Sequence, residues 1–442
     1  MSITKLIKKN YMLLSILIVF FLTVFLLSFI DSGLLWDENA YLGNARNIIA
    51  HSNYTEDFRF PLLNFLISFI WLFTGESLFA AKLLIMVFGV LSVFIFYLAT
   101  RFYFDRKKSL FVTSAFSFSY LVLYWSFRVY TDIPGMFFVF LSFYFLLRGI
   151  NRKNVFLSAI SSALAFLMRF PFGLFPFSVV LYFIYKKKFS NIPVFLLSMF
   201  IIFIPWFSYN YLAHSGDPLY DLKNQWAIVY TYTTPEPITN HIINLFVSMN
   251  ILALFIPFGL YRQFKNNAKM RFIIFVYLLI FVAYFFFLSN IKLSRYFIAA
   301  LPFLYLVSGE GLEYLKKFQI PIVIISLALS VFTISNFVGN NSHCNTGGPL
   351  QPSIEYVCSQ KPGKVASNFW PYFGYACNSK ITGLSSDDLD GMIQTQKPEY
   401  IIYSPQYGEI YNKTKLDANK NLRLEKNLTG VCGESVFIYK AG

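Results

Sequence analysis

Charged residues are scarce in this chain. Only 13% of its 442 residues are Asp, Glu, Lys or Arg, about half of the roughly 25% that is typical of soluble proteins. Hydrophobic residues make up 56%, with 54 Phe and 30 Tyr, and the mean hydropathy is +0.54. This composition excludes an ordinary soluble globular protein and predicts helices packed in lipid with aromatic residues near their ends.

Acidic residues are scarcer than basic ones, with 22 Asp and Glu against 37 Lys and Arg, which gives a formal net charge of +15. A surplus of this size can indicate nucleic-acid binding. Here, however, the Lys and Arg residues fall in short clusters between apolar runs. That distribution is the positive-inside pattern of membrane proteins, so the charge predicts a membrane topology and no nucleic-acid partner.

Cysteines are few, and all four follow the last long apolar run: Cys344, Cys358, Cys377 and Cys432. No Cys-x-x-Cys spacing is present, which makes a zinc site the weaker interpretation. In an oxidising compartment the four cysteines predict two disulfides, and three pairings are open. A glycine-rich phosphate loop and a Rossmann signature are also absent from the sequence.

Apolar runs predict about eleven transmembrane helices. The first, Tyr11–Ile30, is about 20 residues long, enough to cross a bilayer, and no cleavage site follows it, so we expect a retained signal anchor. The others are predicted at residues 78–101, 109–127, 134–150, 155–169, 172–185, 192–212, 241–260, 272–289, 296–312 and 319–338. Basic clusters such as Lys186–Lys188 then lie on the cytoplasmic side with the N-terminus, and the C-terminus lies outside. The apolar segment Phe60–Phe73 is too short for a span and is predicted to be an interfacial or re-entrant helix.

The composition becomes polar after residue 338. A small α/β domain is predicted over residues 339–442 from a helical pattern at Asp387–Gln396 and strand-like runs at Lys364–Ser367, Tyr400–Tyr403 and Ser435–Tyr439. Glycosylation sequons fall only in segments predicted to be outside, at Asn53, Asn340, Asn412 and Asn427. The expected fold class is therefore a polytopic α-helical membrane protein. Residues 1–338 form its transmembrane domain, with a first outer loop at 31–77, and residues 339–442 form an extracytoplasmic domain.

An acidic pair, Asp37-Glu38, stands at the start of an amphipathic stretch in the first outer loop. From Glu38 to Ala50, apolar residues such as Tyr41 and Ala45 fall on one face, which predicts a helix. The structural interpretation of the pair is helix capping by Asp37 and compensation of the helix dipole by Glu38. The functional interpretation is a general base, a carboxylate at an apolar boundary that takes the proton of a sugar-accepting hydroxyl.

A second outer loop is very short and contains Asp132, two residues before Pro134. Asp132 is placed to cap the next helix, or to orient a substrate or an active-site cation. Basic residues on the predicted outer side run against the topological bias, and Lys292 and Arg295 are the main examples. A phosphate group at the membrane surface explains them, because Arg binds phosphate with charge-assisted, often bidentate hydrogen bonds. A lipid head-group anchor is the alternative, and Arg59 and Arg169 are weaker candidates for the same role.

The chain resembles the GT-C glycosyltransferases, in particular the group that contains protein O-mannosyltransferases and the aminoarabinose transferase of lipid A. Four stretches carry the resemblance, in the family's order, over roughly residues 10–310. They are Trp36–Tyr41 with Ala45-Arg46, similar to the Asp-Glu loop motif; Arg59–Leu63, similar to the Pro-Pro-Leu motif with Phe60 in place of the first Pro; Tyr130–Pro134, similar to the Thr-Asp-x-Pro motif; and Ser294–Tyr296 with Pro302, similar to the late Arg-Tyr motif.

The resemblance implies the GT-C fold and an inverting transfer of a sugar from a polyprenyl- or dolichyl-phosphate donor on the outer face. Asp37 is expected to be the base, with Glu38 helping to position substrate and Asp132 as a further catalytic residue. Arg295 is expected to neutralise the donor phosphate as it leaves, with Lys292, Arg128 or Arg59. The tyrosines of the motifs, Tyr41, Tyr130 and Tyr296, are expected to position substrate. The acceptor is expected to be a glycan, a protein or a lipid. No cofactor is implied as required, although a divalent cation stays open. Asn39 stands where a metal-binding Asp-x-Asp motif has its second Asp, which argues against a metal-dependent oligosaccharyltransferase.

Two other functions are open. A lipid-sugar flippase or transporter would place Asp132 in an ion pathway, but the acidic residues cluster at one face and no repeat is present. A non-catalytic envelope protein would bind a partner through the outer domain, and the acidic loops disfavour it. The chain lacks the large luminal insert expected of eukaryotic protein mannosyltransferases, so the expected location is an archaeal plasma membrane.

Overall fold

Helices form most of the structure. The computed structural model of the protein describes residues 3–31, 33–51, 59–231, 238–265, 270–288, 293–377, 380–384, 389–407, 413–430 and 433–441. The helices up to residue 347 are α1 (Ile3–Ile30), α2 (Trp36–Ile49), α3 (Leu62–Thr74), α4 (Leu78–Thr100), α5 (Arg106–Ser117), α6 (Tyr120–Trp125), α7 (Asp132–Leu147), α8 (Arg152–Met168), α9 (Leu174–Tyr185), α10 (Asn191–Ala213), α11 (Tyr220–Thr231), α12 (Ile238–Met249), α13 (Ile256–Lys265), α14 (Arg271–Ala283), α15 (Leu301–Gly311) and α16 (Gln319–Gly347). Tight 3-10 segments lie at Phe170–Gly173, Asn250–Phe255, Ser294–Ala299 and Leu312–Phe318, and a π-helical turn lies at Tyr284–Leu288.

Close contacts divide the chain into two compact units. The helical unit comprises Met1–Ser28, Phe58–Leu63 and Phe79–Ser335, and the α/β unit comprises Phe29–Asp57, Asn64–Leu78 and Asn336–Gly442. The α/β unit therefore contains α2 and most of α3, which the sequence assigned to the first outer loop, together with the C-terminal segment. The predicted domain boundary after residue 338 stays a prediction.

Long apolar helices identify a multi-pass membrane protein. Among the described residues, six helical segments are long and apolar enough to cross a bilayer: Tyr11–Ile30, Leu78–Thr100, Asn191–Ala213, Leu245–Lys265, Arg271–Leu288 and Leu301–Gly339. Large apolar side chains are exposed on them, for example Leu197 and Ile201 of α10, which are 63% and 59% exposed. Such surfaces are stable against lipid rather than water. The predicted eleven spans and their orientation stay predictions.

Two predicted helices are broken in the structure. The helix predicted at 109–127 ends as α5 at Ser117 and resumes as α6 at Tyr120. Serine side chains near the break donate to carbonyls of the preceding turn, with Ser117 Oγ 3.0 Å from the Ser114 oxygen, and such bonds bend helices. The helix predicted at 241–260 is interrupted at Asn250, whose φ of 52° is left-handed, a conformation that Asn tolerates better than most residues. Its side-chain Nδ2 donates to Ser330 Oγ at 2.8 Å, which ties the break to α16.

The α/β unit contains a five-stranded sheet in its described residues, with the order β2-β1-β3-β5-β4. β1 is parallel to β2 and β3, and β5 is antiparallel to β3 and β4. The elements in chain order are α17 (Leu350–Ser359), β1 (Lys364–Ser367), α18 (Trp370–Ala376), β2 (Lys380–Gly383), α19 (Leu389–Gln396), β3 (Tyr400–Tyr403), α20 (Lys413–Ala418), β4 (Leu422–Thr429) and β5 (Ser435–Ala441). The three predicted strands are confirmed, and the predicted helix is confirmed from Leu389, whereas the first two residues of its predicted range, 387 and 388, lie outside the described residues.

The sheet separates two hydrophobic cores. Alternate residues of a strand point to opposite faces, so Tyr400 and Ile402 lie on one face and Ile401 and Tyr403 on the other. The first face packs against α17 and α18, and Trp36 of α2 joins this core. The second face packs against residues of α19 and α20. The start of α2 is therefore part of the sheet's own core.

Candidate active site

An ion pair joins two predicted outer loops within the helical unit. Asp132 is the first residue of α7, and its side chain is 3% exposed. Arg169 ends α8 in an extended conformation, and its Nη1 lies 2.5 Å from Asp132 Oδ1. The helix cap residue is Thr131, and Asp132 makes no capping hydrogen bond. The predicted capping role of Asp132 is therefore wrong, because its carboxylate accepts a hydrogen bond from Arg169, 37 residues further along the chain.

Aromatic rings separate this ion pair from a second arginine. The Arg169 guanidinium lies 4.4 Å from the centre of the Tyr296 ring. Arg295, the residue before Tyr296 in the chain, lies 4.7 Å from the centre of the Tyr130 ring and 5.5 Å from that of Trp125. Such cation–π contacts stabilise a guanidinium without neutralising its charge. We call this set the arginine–aromatic cluster: Trp125, Tyr130, Asp132, Arg169, Arg295 and Tyr296.

The cluster brings together several residues that the sequence placed in separate motifs. Tyr130 and Asp132 come from the predicted second outer loop, and Arg295 and Tyr296 come from the late Arg-Tyr motif. Trp125 was not predicted, since a Trp at a predicted helix end is as typical of the membrane interface as of a site. Arg169, a weaker candidate from sequence, is the residue that pairs with Asp132.

Arg128 lies in a different environment. It is fully buried, and its Nη2 donates to the Tyr124 hydroxyl at 3.1 Å. The guanidinium also lies 5.1 Å from the ring centres of Tyr124 and Phe127. Fully buried arginines are rare, and this one is held by aromatic groups of its own helix–loop segment. Its predicted phosphate contact stays a prediction.

An apolar groove lies beside the segment that carries Arg295. It has a volume of about 330 Å³ and is lined by side chains of α12, α13, α14 and α15 together with Phe297 and Ala300. Arg295 and Phe297 are two residues apart in the 3-10 segment Ser294–Ala299, so their side chains leave it in different directions. One short segment thus serves both the arginine–aromatic cluster and the groove.

The acidic pair Asp37-Glu38 lies in the first turn of α2, in the α/β unit. Glu38 is fully buried, and its Oε2 accepts the backbone N–H of Leu35 at 2.9 Å, which satisfies a free donor at the helix start. Asp37 is half-buried, and Leu35 rather than Asp37 is the cap residue. The predicted capping role therefore belongs to Glu38. The predicted one-sided helix also differs, because residues 38–45 are buried all round.

Both ends of α2 are fastened to α18. At the N-terminal end, the rings of Trp36 and Trp370 are 4.9 Å apart and nearly perpendicular. At the C-terminal end, Arg46 Nη1 donates to the Tyr375 carbonyl at 2.5 Å, and Arg46 Nη2 lies 2.7 Å from Glu76 Oε2. The Arg46 guanidinium also lies 5.0 Å from the centre of the Tyr375 ring, and burial raises the pKa of that tyrosine.

The remaining predicted residues have these positions. Tyr41 is buried in α2, and Arg59 is half-buried before α3. Cys358 and Cys377 form a disulfide that ties the end of α17 to the end of α18. Lys292, Cys432 and the side chain of Cys344 lie outside the described part of the chain. Among the described residues, no three His, Cys, Asp or Glu side chains come together as metal ligands.

Comparisons with known proteins agree with this architecture. The family described as dolichyl-phosphate-mannose-protein mannosyltransferase matches residues 59–209, about a third of the chain. Among solved structures, ArnT from Cupriavidus metallidurans bound to undecaprenyl phosphate is similar with a TM-score of 0.73 and 13% identity, over 99% of this chain and 98% of that one. The oligosaccharyltransferase AglB from Archaeoglobus fulgidus, in complex with an inhibitory peptide and a dolichol-phosphate, is similar with a TM-score of 0.65 and 11% identity, over 98% of this chain and 74% of that one. Comparison with curated proteins gives no significant match. The predicted resemblance to GT-C glycosyltransferases is confirmed, and the chain has their fold.

Proposed function

We propose that this protein is an inverting glycosyltransferase that moves a sugar from a polyprenyl- or dolichyl-phosphate donor to an acceptor hydroxyl on the extracytoplasmic face of the membrane. The observation that carries the proposal is the juxtaposition, within the helical unit, of the arginine–aromatic cluster and the apolar groove. A lipid-linked sugar phosphate has an anionic head and a long apolar tail, and the two features match these two parts.

The charge of the cluster suits the donor. The cluster contains one aspartate and two arginines, whose formal charges sum to +1. The donor is a phosphodiester with one negative charge, and the lipid phosphate that leaves is a monoester with about −1.5 to −2 at neutral pH. A fixed cation therefore favours the leaving group more than the bound donor, which is how an electrostatic group accelerates a reaction.

Arg295 is the residue we assign to the phosphate. Its guanidinium is half-buried against the rings of Tyr130 and Trp125, and contacts of this kind hold a guanidinium in place without cancelling its charge. The ion pair to Asp132 holds Arg169 in place, and we assign Asp132 the role of positioning that arginine. Lys292 and Arg59 stay further candidates for the phosphate, and Tyr130 and Tyr296 hold the guanidinium groups through their ring faces.

The groove is assigned to the isoprenoid tail. Its lining is almost entirely apolar, and Phe297, from the segment that carries Arg295, is part of that lining. A donor whose phosphate contacts Arg295 can therefore place the first part of its tail against Phe297 and Leu304. Burial of an isoprenoid there is favourable by roughly 25 cal/mol per Å² of apolar surface.

Asp37 is assigned as the general base. In the reaction its carboxylate takes the proton of the acceptor hydroxyl, the acceptor oxygen bonds to the anomeric carbon, and the bond from that carbon to the phosphate oxygen breaks. The electron pair leaves with the lipid phosphate. Direct displacement of this kind inverts the anomeric configuration. No metal ion is needed for these steps, although a divalent cation bound by carboxylates of the site is compatible with them.

Surface glycans of the source cell provide the test, because a missing sugar is detected by its mass whatever its identity. Cells lacking the protein are complemented with the wild type, with Asp37→Asn, or with the control Asp417→Asn in α20 of the same unit. Mass spectrometry should show a missing sugar that wild type and Asp417→Asn restore and Asp37→Asn does not, at equal protein levels. Unchanged glycans in the deletion strain would refute the transferase, and full restoration by Asp37→Asn would refute the base assignment. A transport defect with normal transfer in detergent would favour the flippase, with Asp132 in its ion pathway.

A further inference from the structure

Helix α18 of the α/β unit contacts α2, the helix of the proposed base, near both of its ends. Trp36 directly precedes Asp37, and its ring meets Trp370 edge to face at 4.9 Å and Tyr372 at 6.3 Å. Ten residues further along α2, Arg46 donates to the carbonyl of Tyr375. Both contacts come from the seven residues of α18, Trp370–Ala376.

Trp370 itself packs closely against the sheet. A Cβ placed on Gly383 of β2 would lie only 3.3 Å from Cε3 of Trp370, so the indole packs closely on the strand backbone. The neighbouring rings of Tyr372 and Phe373 are buried in the core of the sheet. Trp370, packed against the strand backbone, therefore connects the sheet to Trp36 by its closest ring contact.

The far end of α18 is fixed covalently. Cys377 follows its last residue and forms the disulfide with Cys358 at the end of α17. Trp71 of α3 also stacks on Tyr375, with ring centres 6.4 Å apart. Rotation or sliding of α18 would break these contacts together, so α18 has one defined position on the sheet.

We infer that Trp370 is a positioning residue for Asp37: α18, fixed by the sheet and by the Cys358–Cys377 disulfide, sets the orientation of the first turn of α2 through the contact of Trp370 with Trp36. This inference rests on the proposed function, because it concerns the geometry of the proposed base. Catalytic groups must be held within about 0.5 Å of their working position. A misplacement of about 1 Å can cost about 100-fold in rate.

The first experiment measures transfer by the purified full-length protein in nanodiscs, with donor lipids extracted from the source membranes and membrane acceptors from the deletion strain. Trp370→Ala should lower kcat by about 10- to 100-fold and leave KM for the donor lipids within about two-fold, because the base is misplaced and the donor site is untouched. Trp370→Phe keeps an aromatic edge against Trp36 and should retain activity within about three-fold of wild type. Tyr439→Phe, which removes a hydrogen bond to Asp417 on the other face of the sheet, is the matched control and should be fully active.

A double substitution separates positioning from general destabilisation. If Trp370 acts through Asp37, adding Trp370→Ala to Asp37→Asn should lower the remaining activity by no more than about two-fold, because the group that it positions is already gone. Hydrogen exchange gives a second readout that is independent of activity. The amides of α2 should exchange faster in Trp370→Ala and at the wild-type rate in Tyr439→Phe.

The outcomes distinguish the inference from the proposed function. Full activity of Trp370→Ala beside an inactive Asp37→Asn overturns the inference alone. An equal loss from Trp370→Ala in the wild-type and Asp37→Asn backgrounds also overturns it, since the effect is then structural. Full activity of Asp37→Asn overturns the base assignment, and the positioning role falls with it.

Discussion

Removal of one partner from the Asp132–Arg169 pair should destabilise the helical unit, and removal of the other partner as well should offset part of that loss. The side chain of Asp132 is 3% exposed and that of Arg169 is 15% exposed, so neither charge can turn fully to water. Arg169→Gln leaves a buried carboxylate without its ion-pair partner, and breaking a buried pair in this way costs about 3–5 kcal/mol. Asp132→Asn should cost less, because Arg169 keeps its contact with the Tyr296 ring, which is worth about 0.5–2 kcal/mol.

The double variant Asp132→Asn/Arg169→Gln decides whether the two residues stabilise each other. Two amides can form a neutral hydrogen bond at this position, so the double variant should be destabilised by less than the sum of the single variants. Residues in direct contact show coupling energies of about 0.5–3 kcal/mol, and a pair as buried as this one should lie at the upper end of that range.

Denaturant unfolding in mixed micelles measures these free energies. Asp217→Asn is the matched control: Asp217 also pairs with a cation in the helical unit, but its partner Lys223 is 64% exposed. Exposed pairs contribute little, so this variant should unfold almost as the wild type does. The loss of the double variant could instead equal the sum of the two single losses to within about 0.5 kcal/mol. That result would refute the view that the two residues stabilise each other's charge.

Three further predictions concern binding, packing and acid stability. Arg295→Ala should weaken binding of undecaprenyl phosphate by about 10- to 100-fold, measured by scintillation proximity in nanodiscs, since a charge-assisted hydrogen bond contributes about 1.5–3 kcal/mol. Arg295→Lys should recover only part of the lost affinity, because it lacks the planar guanidinium. Gly259→Ala should lower the unfolding midpoint strongly, because the new Cβ would lie 1.8 Å from a carbonyl oxygen of α15, whereas Gly339→Ala, with nothing within 4 Å, should be neutral or slightly stabilising. The hydrogen bond from Lys413 holds the pKa of Asp417 below its ordinary value. This carboxylate therefore stabilises the folded α/β unit at pH values above its unfolded pKa near 4, and the contribution is lost as the pH falls through the folded pKa. Asp417→Asn should unfold more easily than wild type at about pH 6 but equally easily near pH 2.

Local patterns predicted the elements that bury continuous apolar runs. The strands β1 and β3 are short runs with buried side chains, and the long helices are apolar over most of their length. The edge strand β4 was missed because most of its side chains are exposed and the alternation of Leu422, Leu424 and Leu428 with polar residues is interrupted by Lys426. α18 was missed for another reason: seven residues are too few to establish a helical period.

The partners in the site depend on packing that hydropathy does not record. Sequence alone could not decide which arginine reaches Asp132, because the answer depends on how α7 lies against α8. In the structure a serine ladder sets that register: Ser142 Oγ of α7 lies 2.7 Å from Ser158 Oγ and 2.9 Å from Ser162 Oγ of α8. Small hydroxyl side chains allow helices to approach closely in a membrane and to bond across the interface. Serines in an apolar helix were therefore the signal that could have pointed to Arg169.

The contacts of Asp132, Glu38 and Asp37 bear on which carboxylate fits the role of the proposed base. Asp132 is engaged in a buried ion pair with Arg169. Glu38 is fully buried and accepts the backbone N–H of Leu35, the cap residue of α2. Asp37 lies in the same turn and is half-buried. Glu38 therefore holds the start of the helix, and Asp37 stays the carboxylate that we propose as the base.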